Sequence, residues 1–265
     1  MPPSPQILQD LRDAYQSENL IIFAGAGISA AAGLATWPAL AKTLRDRLAN
    51  ERKPVEVIAE VDDLIKRGQL IDALSAAKHA LGEHEFNLAI EKAVDDSGIP
   101  VPDVAKAIAE LEPKLRAVVT TNLDRFLERA FGGNWQDLST PTGDLAQRSH
   151  YILKLHGTRI DRCTWVFTRE QYDLATFGRP LHRSTFEALF RAYPILFVGY
   201  GLTDDDFDTT LGATRALAGR QPPTHFSFVR SPIPPYRRKK LEDAGLRLLE
   251  YDRHDEVPAI LRSLP

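Results

Sequence analysis

Three places in this sequence put a chemically useful residue directly behind an apolar run. In ILKLHGT (152–158) the run ends at His156. Imidazole is the side chain most readily tuned to accept a proton near neutral pH, and Gly157 beside it is expected to leave room for a substrate. In AVVTTNLD (117–124) the run ends at Asn122. A carboxamide offers a donor and an acceptor on one short stem, which suits sugar hydroxyls or a water. In LIIFAGAGISAAAGL (20–34) the run enters Gly25-Ala26-Gly27, followed by Ser29. Glycine lets the backbone turn sharply and approach a pyrophosphate, and amides at the next helix start can then face it. Gly33 follows Gly27 by six residues instead of the three of the dinucleotide fingerprint. Each signal alone also has a structural reading: a tight packing turn for the glycines, a helix cap for Asn122 or Asp124, a core histidine for His156. Their conjunction at three strand ends points to one shared rim.

The elements that must carry these residues are short apolar strands alternating with helices. Strands are expected at Leu20–Ala24, Ala117–Thr121, Tyr151–Leu155, Ile195–Val198, Phe226–Val229 and Leu246–Tyr251. Helical patterns cover Leu123–Phe131, Leu181–Arg191, Asp204–Leu217 and Tyr236–Ala244. The alternation predicts a Rossmann-like α/β fold, a parallel sheet with helices on both faces. Residues 51–112 break it, with apolar residues three and four apart and no strand, and read as a helical subdomain inserted in a single domain; Pro102 suits the first turn of a helix there. A fourth motif, ILFVGYGLTDDDF (195–207), repeats the strand-to-glycine layout at Gly199 and Gly201, with Thr203 as N-cap and Asp204 to Asp206 as helix-start charges. Disorder is expected for the first few residues and at proline-rich joints near Pro222 and Pro232.

Composition narrows the function classes. The 265 residues are 43% hydrophobic and carry a net charge of -3, which gives no general pull toward nucleic acid. The basic run Arg237–Lys240, followed by Glu242 and Asp243, reads as a solvated helix face. Cys163 is the single cysteine, so no internal disulfide forms and no cysteine-built zinc site exists; this fits a reducing cytoplasm. The opening MPPSPQ lacks the layout of a signal peptide, and no membrane span is expected. His79, His84, His150, His182, His225 and His254 receive no role.

On GAGISAAAGL (25–34), TTNLD (120–124), KLHG (154–157) and VGYGLTDDDF (198–207), the sequence resembles the sirtuin superfamily. It looks most like the bacterial sirtuin-like branch of antiphage defence systems, in which Trp stands after the glycine loop, as in ATWPAL (35–40), and WVFTREQY (165–172) recurs. The resemblance covers nearly the whole chain from Leu20 onward. Two features of deacylating sirtuins are missing: the cysteine pairs of the zinc ribbon and the acidic-aromatic-basic segment after the glycine loop. The resemblance implies an NAD site without zinc. Gly25, Ala26, Gly27 and Ser29 would hold the pyrophosphate and flank the ribose. Asn122 and Asp124 would face the nicotinamide ribose and the attacking water. His156 would be the general base, and Gly199 and Gly201 would border the adenosine half, Gly201 through backbone alone. The implied activity is hydrolysis of NAD to nicotinamide and ADP-ribose as an NAD-depleting effector. Protein deacylation, or non-catalytic NAD or ADP-ribose sensing, stands as the alternative. An activating partner encoded nearby, or a homo-oligomer, would be the trigger.

Overall fold

A computed structural model describes residues 4–174, 180–201 and 223–265. Thr203, the three aspartates after it, the helix expected as far as Leu217 and the Pro222 joint lie outside the described residues. Seven strands are described: β1 (Ile21–Ala24), β2 (Ala117–Thr120), β3 (Gln136–Leu138), β4 (Tyr151–Lys154), β5 (Ile195–Val198), β6 (His225–Arg230) and β7 (Leu246–Tyr251). They form one parallel sheet in the order β3-β4-β2-β1-β5-β6-β7. The expected parallel α/β sheet is therefore the fold.

The sheet is apolar on both faces because its side chains alternate between two cores. Ile22, Ala24, Val118, Ile152 and Leu196 lie in one. Ile21, Phe23, Val119, Leu153 and Phe197 lie in the other. The first core is closed by α1 (Pro5–Gln16), α7 (Asp103–Ala109), α8 (Phe126–Ala130) and α12 (Glu256–Arg262), through residues such as Leu11, Ile108, Phe126 and Leu261. The second is closed by α10 (Pro180–Ala192) and α11 (Pro235–Asp243), through Leu189, Phe190 and Leu241.

Between β1 and β2 the chain is helical throughout: α2 (Ala26–Ala30), α3 (Trp37–Asn50), α4 (Val55–Lys66), α5 (Leu70–Leu81) and α6 (Glu83–Ala93) precede α7. Helices α3 to α6 share a third core, built on Leu44, Leu74, Phe86 and Ile90 and joined by Leu123, Trp165 and Phe167. α7 belongs instead to the core under the sheet. A short helix, α9 (Arg169–Asp173), begins at Thr168, whose amide donates to the Gln171 side chain at 3.1 Å.

Three local expectations change. The helix read from Leu123 starts only at Phe126, because residues 122–125 form a loop whose polar groups bond elsewhere. β3 is an additional strand: Gln136-Asp137-Leu138 is a short, mostly exposed edge without apolar alternation. The joint at Pro232 is tied to the sheet, with the Ser231 amide donating to the Tyr251 carbonyl at 2.8 Å.

β1 sits at the centre, with Ile21 opposite Ala117 of β2 on one side and Ile195 of β5 on the other. The chain leaves β1 toward β2 and later returns to the opposite side as β5. In open α/β sheets a ligand crevice forms beyond the carboxyl ends of the strands at this reversal.

Candidate active site

The carboxyl ends of β1, β2, β4 and β5 bring the glycine turn, Asn122, His156 and Gly199 to one end of the sheet. The turn after β1 is locked to the turn after β5 through backbone. The Gly25 amide donates to the Val198 carbonyl at 2.9 Å, and the Gly27 amide to the Gly199 carbonyl at 2.7 Å. A Cβ on Gly25 would lie 2.6 Å from the Gly199 oxygen, and one on Gly27 2.8 Å from the Gly199 Cα. Gly199 has φ +65, and its own Cβ would stand 2.9 Å from the Ile28 nitrogen. Two main chains touching thus demand glycine at all three positions, independently of any ligand. Gly27 is exposed, Ala26 half-buried and Ser29 buried. Gly201 is exposed, and its carbonyl accepts from the Arg237 guanidinium.

Next to this turn, β2 ends in a clip. Thr120 Oγ1 donates to the Ala24 carbonyl at 2.8 Å and accepts the Asn122 amide at 3.0 Å. The Asn122 Nδ2 donates to the Gly25 carbonyl at 2.9 Å. Among the described residues nothing engages the carboxamide oxygen. Asp124 is buried; it receives the Ser29 hydroxyl on one oxygen and the Phe126 amide, at the start of α8, on the other. Burial pushes its carboxyl above the usual carboxylate range, opposed by the Ser29 hydroxyl and the nearby Lys154 charge.

His156 follows β4 by two residues and stands between two aromatic rings in edge-on contact, Trp37 and Tyr172, each with its centroid 5.8 Å away. Its Nδ1 is enclosed without a hydrogen-bond partner, and among the described residues no hydrogen bond reaches the ring. Burial pushes the imidazole down to about 4, so at neutral pH it is unprotonated, the form a base requires. Gly157 does not leave the open space expected of it: at φ +86 its missing Cβ is replaced by the Thr164 carbonyl, 2.2 Å from where it would stand.

A family model described as a SIR2-like domain matches residues 116–249. The chain belongs to the SIR2-like family. This SIR2-like chain is 24% identical over 230 residues to the NAD(+) hydrolase ThsA of Cytobacillus dafuensis, a match covering 84% of the chain and 44% of that relative. To the protein of the same name from Acinetobacter baumannii it is 27% identical over 229 residues, covering 81% of the chain and 43% of the relative. To defense-associated sirtuin 2 of Bacillus subtilis it is 23% identical over 277 residues, covering 97% of the chain and 26% of the relative. The chain thus spans less than half the length of these relatives. Among solved structures, a Sir2 homologue mutant bound to 2′-O-acetyl-ADP-ribose superposes with a TM-score of 0.56 at 15% identity, covering 98% of this chain and 96% of that one. The Sir2 fold is therefore shared.

Three residues that shape this SIR2-like site lie inside the motifs quoted above, but the sequence alone assigns them no task. Thr120 clips two strand ends, Tyr172 packs on His156, and Lys154 lies buried beneath the loop after β2. For Lys154 a signal existed: a charge inside YILKL, a strand covered on both faces, requires a partner. Among the described residues no group of three or more His, Cys, Asp or Glu side chains is arranged to hold a metal ion, and no helix is long and apolar enough to cross a membrane.

Proposed function

We propose that this end of the sheet binds NAD as a substrate and hydrolyses its nicotinamide–ribose bond. In this reading Gly25, Ala26, Gly27 and Ser29 lie along the pyrophosphate and ribose, and Gly199 and Gly201 border the adenosine half. The bond broken joins ribose C1′ to a pyridinium nitrogen. Its electron pair leaves with nicotinamide, which departs neutral and needs no strong acid. Positive charge develops on the ribose and is met by a water oxygen. Asn122 positions that water or the ribose hydroxyls, with Asp124 fixing the Ser29 side of the loop. His156 takes the proton released from the water, directly or through a ribose hydroxyl. The products are nicotinamide, ADP-ribose and one proton.

The observation that carries the reading is the placement of His156: an imidazole packed edge-on against Trp37 and Tyr172, its Nδ1 without a hydrogen-bond partner among the described residues, on the strand end beside the Asn122 loop. Similarity to proteins named NAD(+) hydrolase supports hydrolysis over deacylation. Similarity to a defense-associated sirtuin supports an NAD-depleting role in antiphage defence. In this reading a protein partner or self-assembly is the trigger. In this reading the helical insertion expected over residues 51–112, whose helices α4 to α6 share a core with α3 while α7 packs under the sheet, stands within one catalytic domain.

Chromatography of NAD incubated with the protein tests it, alone and with the product of the neighbouring gene. Nicotinamide and ADP-ribose should appear in equal amounts. His156→Ala and Asn122→Ala should each lower turnover by at least about 10²-fold while the fold persists. Wild-type turnover in either variant removes the assigned role. Acyl-ADP-ribose formed only with an acylated peptide would establish deacylation instead. NAD binding by calorimetry without nicotinamide release under either condition would establish a sensor.

A further inference from the structure

Lys154 is 1% exposed, in the strand that leads to His156. Its Nζ donates to the Leu123 carbonyl at 3.3 Å, to the Asp124 carbonyl at 2.5 Å and to Glu128 Oε1 at 2.6 Å. A lysine ammonium has three donors, and here each meets an acceptor. Two of the three are main-chain carbonyls of the loop that begins at Asn122. The third is on α8, the helix whose first amide Asp124 accepts.

We propose that Lys154 is a positioning residue for the cleavage assigned above: it fixes the Asn122 loop to the strand end that presents His156, so that the two side chains keep one relative placement. The inference rests on that reading of the site. A second observation separates this task from plain stabilisation. Glu128 Oε2 is buried without a partner, so the ion pair is only half satisfied. An apolar pair of similar volume would fill the same space without the desolvation cost. Such a pair could not hold the carbonyls of Leu123 and Asp124. The Asp124 carboxylate in turn receives Ser29 from α2, so one ammonium links the ends of β4 and β2 to the segment after β1.

The test compares the full chain with three variants: Lys154→Met, Glu128→Gln and the double Lys154→Met/Glu128→Leu. Both single variants should melt lower than wild type, and the double should recover to within about 3 °C of it. Turnover should divide differently. Glu128→Gln keeps the donors on the carbonyls and should retain kcat within about threefold, whereas Lys154→Met and the double should each lose about 10²-fold in kcat with KM within about threefold. Recovery of both melting temperature and kcat in the double variant overturns the proposal, as does a kcat that simply follows stability across the set. If wild type releases no nicotinamide, the cleavage reading fails separately, and the Asn122 side-chain amide resonance decides the placement. It should shift or broaden in Lys154→Met and hold in Glu128→Gln; an unmoved resonance in both overturns the positioning role.

Discussion

The Asn122 side-chain amide is fastened to the Gly25 carbonyl at 2.9 Å, so the carboxamide proposed to address the substrate is also part of the joint between β1 and β2. The same carbonyl accepts the Ile28 amide at 3.1 Å. Asn122→Ala therefore leaves that oxygen with one partner and should cost only about 1 kcal/mol. Asn122→Asp sets a buried carboxylate oxygen against a carbonyl oxygen, two acceptors facing each other. It should cost about 2–3 kcal/mol at pH 7 and recover below about pH 4, where the protonated carboxyl can donate. Urea denaturation at both pH values checks this. An Asp variant as stable as the Ala variant at neutral pH contradicts it.

The glycines of the turn differ in what a methyl group would meet. At Gly27 a Cβ reaches the Gly199 backbone at 2.8 Å, whereas at Gly33 it meets nothing within 4 Å and only the φ of +87 opposes it. Gly27→Ala must push two main chains apart and should cost about 2–3 kcal/mol. Gly33→Ala should cost about 1 kcal/mol, the strain of a left-handed alanine. Denaturation midpoints rank the two, and equal losses would mean that the turns after β1 and β5 are not interlocked.

What could be read from the sequence divides along physical lines. Ile21, Val118 and Leu196 belong to strands covered on both faces, so hydrophobicity alone marks them. β3 is an exposed edge whose Gln136 and Asp137 face solvent, and nothing in such a segment demands a strand. The site divides in the same way. Asn122 and His156 stand at strand ends, where a polar side chain is conspicuous. Gly25, Gly27 and Gly199 were legible as glycines but not as one contact, because mutual packing of distant loops leaves no local pattern. Tyr172 was legible as part of WVFTREQY but not as a neighbour of His156, because that contact joins two loops and leaves no local pattern.

His225 also lay outside any motif, and its task is structural. Its Nδ1 accepts the amide of Ile195, the first residue of β5, at 3.3 Å, and Phe190 packs on the ring at 3.8 Å. Burial pushes the imidazole down to about 4, so the folded protein holds it neutral. The unfolded chain takes up a proton near pH 6.5, where the folded one does not. Stability is therefore full above about pH 6.5 and falls as pH drops toward about 4, by up to about 3 kcal/mol from this group. His225→Asn offers an oxygen to the same amide without titrating, so its stability should decline less steeply across that window. Parallel curves for the variant and wild type in urea titrations from pH 7 to 4 would exclude this role.

Trp37 is one of two aromatic rings packed edge-on against His156. The indole meets the imidazole edge-on at 5.8 Å on one side, Tyr172 does so on another, and Phe167 backs the indole at 5.6 Å. His156 is half-buried, and burial lowers its imidazole to about 4; the indole is expected to supply much of that cover. Trp37→Leu removes much of that cover while leaving an apolar residue at the start of α3. The His156 midpoint, followed by imidazole resonances in an NMR titration, should rise from about 4 toward the ordinary value of about 6.5. If His156 is the base, the acid limb of kcat/KM should move upward in pH with it, because a protonated imidazole cannot accept a proton. A midpoint that stays near 4 in Trp37→Leu would locate the desolvation elsewhere. A midpoint that moves while the acid limb stays fixed would separate His156 from the chemistry.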